Sequence, residues 1–83
     1  METSQQLTTA FRERLVLFSF FHLGSDARID ITEGPESLKV SMAHSRVVPF
    51  DFSLSWPETE QLLADPSRFE AFMLDLLTRY RRS

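Results

Sequence analysis

His22 and His44 are the two residues in this chain of the type that carries acid and base chemistry near neutrality, and Asp26 and Asp30 follow closely after His22. A carboxylate that orients an imidazole would make a general base, but the spacing of these four residues carries no specific signature. A zinc site needs at least three ligands in fixed geometry, and with no cysteine and two histidines no third ligand falls at a recognisable interval. Serines are frequent, but none sits in a G-x-S-x-G elbow that would expose a nucleophile beside a base. The two glycines, Gly24 and Gly34, are isolated and cannot form a nest of backbone amides around a phosphate. The sequence therefore assigns no catalytic, cofactor-binding or metal-binding residue, and it points to no small-molecule substrate.

One cluster could act on charge instead. "TRYRRS" at the end of the chain gathers Arg79, Arg81 and Arg82 around Tyr80, a group able to touch phosphates and stack a base. Basic residues in a last helical turn also complement the negative end of the helix dipole, and that simpler role accounts for them without a ligand. The net charge of −3 and pI near 5.2 weigh against nucleic acid as a partner. Binding of nucleic acid through Arg79, Tyr80, Arg81 and Arg82 stands as the alternative function.

The elements that must position these residues follow from apolar spacing. From Ser4 to Leu23 the residues Leu7, Ala10, Phe11, Leu15, Phe18 and His22 recur at intervals of three and four, which predicts a first helix ended by Gly24 in a left-handed conformation. The period then changes to two. Ala27, Ile29 and Ile31 alternate with polar residues, as do Leu38, Val40, Met42 and His44, and again Val48, Phe50, Phe52, Leu54 and Trp56. Three such segments with a Gly34-Pro35 turn between the first two predict an antiparallel meander with one wet face. Pro49 cannot donate to a ladder, so the third strand is expected at an edge or bulged there. "SWPE" has the spacing of a capping box before a short helix over residues 58–64, and "ADP" is a second start, with Asp65 as cap and Pro66 in the first turn. Phe69, Phe72, Met73, Leu76, Leu77 and Tyr80 then mark one face of a final helix, with either a kink or a break at Pro66. The expected fold is α+β, a two-layer α-β-β-β-α domain over residues 1–83, with the N- and C-terminal helices on one face of the sheet.

That fold does not use all the apolar surface. "LVLFSFFHLG" at residues 15–24 is too short for a membrane span of about 20 apolar residues. No positive charge precedes Arg12, and "GSDARID" after the run lacks a small-x-small cleavage pattern, so a signal peptide is not expected. Projected at about 100° per residue, Leu7, Phe11, Phe18, Phe21 and His22 fall together, whereas Val16, Phe20 and Leu23 point nearly opposite. Either the segment carrying Leu62 and Leu63 covers those three, or another chain does. The sequence accordingly predicts a small non-enzymatic protein-interaction module of the cytoplasm, a homodimer or the ligand of another protein, with Val16, Phe20 and Leu23 at its interface.

Overall fold

The computed structural model describes residues 4–82; Met1–Thr3 and Ser83, the ends of the expected 1–83 domain, lie outside the described residues. Its elements run α1 (Ser4–Leu23), β1 (Arg28–Glu33), β2 (Ser37–His44), β3 (Val47–Ser55), α2 (Trp56–Ala64) and α3 (Pro66–Arg79). The fold is α+β, and the sheet is an antiparallel meander in the order β1-β2-β3. Along β2 the residues Leu38, Val40 and Met42 are buried while Lys39 and Ser41 are exposed, so one sheet face carries the core. Phe11, Leu15 and Phe18 of α1, Leu62 of α2, and Phe69, Met73, Leu76 and Leu77 of α3 close over that face in one continuous cluster. Ile29 and Ile31 of β1 pack against its margin. Each fully buried side chain of this size stabilises the fold by roughly 1.5–3 kcal/mol before conformational entropy is subtracted.

Helix ends are set by local chemistry. Gly24 stands at φ +94°, and its N–H donates to the Ser19 and Phe20 carbonyls at 3.1 Å each, closing α1 as a left-handed cap. At α2 the Ser55 hydroxyl accepts from the Glu58 N–H at 3.3 Å and the Glu58 carboxylate accepts from the Ser55 N–H at 3.0 Å, which completes the capping box. The hydrogen bond from the Ser55 N–H, with a smaller contribution from the Ser55 side chain, favours the ionised form of Glu58 and holds its carboxyl below the usual glutamate range. The helix begins at Trp56, two residues before the expected start, because the box places its cap at Ser55. Asp65 then accepts from the Arg68 N–H at 3.2 Å and starts a separate helix, so Pro66 marks a break rather than a kink.

β3 departs from simple alternation. Met42 pairs with Phe50 and His44 with Val47, which leaves Ala43 facing both Val48 and Pro49. This bulge shifts the parity of the strand: Val47 is buried and Val48 exposed, the reverse of the expected pattern. Pro49 thus lies at a bulge in an edge strand. Beyond α3 the chain pairs with that edge. The Val48 N–H donates to the Tyr80 carbonyl at 2.7 Å and the Arg82 N–H to the Arg46 carbonyl at 2.9 Å, bracketing an antiparallel bridge between Val47 and Arg81.

Candidate protein-interaction site

α1 buries one face along its length and treats its other face in two ways. Leu7, Thr8, Phe11, Leu15, Phe18 and Ser19 are buried. Directly opposite, the first half of the helix shows water Gln6, Thr9 and Glu13. The same outward direction in the second half carries Val16, Leu17, Phe20 and Phe21, which are 50%, 60%, 60% and 79% exposed. At about 100° per residue these four span an arc of about 140° centred away from the core. α2 does pack on α1, with Leu62 in the core, but it leaves this apolar ridge open.

The burial of two residues in the last turns of α1 differs from the expectation. Leu23 is half-buried and packs against the core, because the last turn of α1 rolls it toward β3 and α3, where it lines a hollow with Val47 and Leu77. Phe21 joins the exposed ridge instead of the core. Ala10 and His22 are likewise exposed despite their helical phase, since the core contacts of α1 run through Phe11, Leu15 and Phe18. Leu17 and Phe21 are the residues that the sequence reading missed. The signal was present: Gln6, Thr9 and Glu13 mark the wet side, and further steps of three and four from Glu13 reach Val16, Leu17, Phe20 and Phe21.

The ridge is flanked by two grooves. Toward α3, a groove of about 640 Å³ is walled by Leu17, Phe18, Phe21, Pro66 and Phe69, with Arg14 above the Phe69 ring at 5.9 Å from its centroid. Toward β1, a groove of about 290 Å³ is bounded by Val16, Phe20, Gly24, Ser25, Ala27 and Ile29. Ser19 forms part of its floor, and the Ser19 hydroxyl is buried without a hydrogen-bond partner, unlike those of Thr8 and Thr59, which donate to the carbonyls of Ser4 and Ser55. Such a group costs about 1–3 kcal/mol. Arg12, Glu13 and Asp26 are exposed at the margins of the ridge, and none makes an ion pair among the described residues.

The residues with chemical potential are dispersed. His44 is buried at the end of β2, where its Nδ1 accepts from the Arg46 N–H at 3.0 Å and so braces the turn into β3. His22 is exposed, its ring 4.3 Å from that of Phe18. Asp30 pairs with Ser41, and Ser41 with Asp51, on the open face of the sheet. Since α1 lies over the opposite face, Asp30 and His22 do not form the acid–base cluster that their proximity in sequence suggested. Among the described residues, no three His, Asp or Glu side chains are grouped to hold a metal ion. The C-terminal basic group has partners within the chain. Arg79 pairs with Asp75 at 3.0 Å, the Tyr80 ring stacks on Phe50 at 4.6 Å between centroids, and the Arg82 Nε donates to the Val47 carbonyl at 3.1 Å. Among the described residues no helix is long and apolar enough to cross a membrane. No family model, curated protein or solved structure matches this chain.

Proposed function

We propose that the protein is an interaction module, acting by binding rather than turnover, and that it docks another protein surface on the outer face of α1. One observation carries this reading: Val16, Leu17, Phe20 and Phe21 form a contiguous apolar ridge on a helix whose opposite face already fills the core. Patches of this kind on small domains mark contact surfaces, because isolated exposed leucines are ordinary but a row of four large side chains is not. Leu74, 38% exposed on α3, is of the ordinary kind. With no cysteine the chain needs no oxidising compartment to fold, and the cytoplasm is the place of binding in this proposal.

The test is photo-cross-linking in the cell that makes the protein, with benzoylphenylalanine at position 20 and, as control, at position 39 on the wet sheet face. Adducts of defined mass from position 20 and none from position 39 are expected. Equal or absent adduct formation from both positions would refute docking through α1.

A further inference from the structure

We infer that the surface docked on the ridge is a second copy of this chain, placed antiparallel about a two-fold axis at the height of Ser19; this rests on the reading of the ridge as a docking site. Four side chains of this size at the observed exposures present on the order of 400 Å² of apolar surface. That is about half of the ~800 Å² that each subunit buries in a standard interface, and the exposed residues flanking the ridge, among them Arg12, His22, Ser25 and Asp26, add to it. An isologous contact requires one patch to be knob and hole together, and this patch is both: a ridge of Phe20 and Phe21 between two apolar grooves.

Charge selects the orientation. A two-fold axis across α1 at residue 19 sets position n of one helix against position 38 − n of the other while keeping each β1 side beside the other β1 side. Phe20 then meets its own symmetry mate, and Leu17 meets Phe21 beside the α3 groove. Arg12, which falls on the β1 side of the helix, comes to the C-terminal end of the partner helix on that same side, where the chain leaving α1 carries Asp26 between the groove-lining residues Ser25 and Ala27. Two Arg12–Asp26 pairs therefore close the rim, one at each end. A parallel arrangement would instead oppose Glu13 to Glu13 and set Arg12 beside Arg14, both like-charge contacts.

The absence of cysteine makes the geometry directly testable. In the antiparallel dimer Glu13 comes to the C-terminal end of the partner's α1, next to the turn that carries Ser25, whereas the two Glu13 residues stand about 18 Å apart along the helix axis. Glu13→Cys mixed with Ser25→Cys should oxidise to the mixed disulfide, and Glu13→Cys alone should stay reduced at the rate of a Thr32→Cys control on the sheet. Sedimentation equilibrium of the unmodified chain should show a concentration-dependent dimer that Phe20→Glu abolishes with circular dichroism retained. Arg12→Asp and Asp26→Arg should each weaken association about tenfold, and together restore it. A Glu13→Cys homodisulfide formed in preference would overturn the antiparallel pairing. A monomer at several hundred micromolar, with no disulfide above control, would overturn the second copy as occupant; cross-links from position 20 to a different protein would then leave docking through α1 standing, and their absence would end both.

Discussion

α1 and α3 lie on the same sheet face and contribute equally well to one core, yet they differ in what they do with the residues left over. α3 separates its residues with one large exception: Phe69, Met73, Leu76 and Leu77 are buried and Glu70, Asp75, Thr78 and Arg79 face water, while Leu74 is exposed. α1 achieves the same separation only through Glu13 and then shows Val16, Leu17, Phe20 and Phe21 to solvent. Folding required no more than the inward halves of both helices. On the reading proposed above, the surplus on α1 serves association rather than the fold of the monomer.

The largest effect that sharpens this contrast comes from two phenylalanines on one helix. Phe11 is fully buried, with its ring edge-on to Phe69 at 5.6 Å, and Phe11→Ala should cost about 3–5 kcal/mol, most of the stability of a domain this small. Phe21→Ala should change the stability of dilute monomer by less than about 0.5 kcal/mol. Urea denaturation of the two variants measures both, and equal losses would erase the distinction between the faces of α1. A smaller effect is expected where the helices end. α1 stops on Gly24 in a conformation that costs other residues about 1–2 kcal/mol, so Gly24→Ala should destabilise by about that amount although a methyl group there meets no neighbour within 4 Å. α3 needs no such residue because its exit is hydrogen-bonded to β3.

The smallest expected effect concerns Glu58. Its folded carboxyl titrates below the unfolded one, so the stability it contributes is complete above the ordinary glutamate pKa of about 4.3 and disappears as pH falls through the lower folded value. Thermal unfolding of Glu58→Gln should lack this component, and its difference from the parent chain should shrink with acidification. The side chain is exposed, which keeps the change small.

Element order, the wet sheet face and the caps of both helices after the sheet were legible in the sequence because each rests on short-range spacing: Ser55 to Glu58, Asp65 to Pro66, Leu38 to Met42. The position of Val47 was not, since a bulge inverts strand parity and Pro49 announces only that something irregular is near. Phe21 and Leu23 were exchanged between core and surface for a related reason. In the last turn of α1, periodicity gives direction but not how far the sheet and α3 extend beneath it. The C-terminal arginines looked available from composition alone; pairing of the tail with β3 is a contact between residues 35 apart, invisible to any local pattern.

That pairing bears on how the molecule can aggregate. The tail occupies the start of the β3 edge, Pro49 removes the next amide donor, and β1 presents Arg28, Asp30 and Glu33 along the opposite edge. A sheet so blunted offers poor templates for strand addition, and fibril growth along it is suppressed. Four of the six exposed large apolar side chains among the described residues stand on one helix, whose backbone amides are internally satisfied, so contact there, on the proposed reading, proceeds through side chains alone and saturates once the ridge is covered. If the ridge docks as proposed, the protein would carry a sticky surface at high concentration with a ceiling on the size of what it forms.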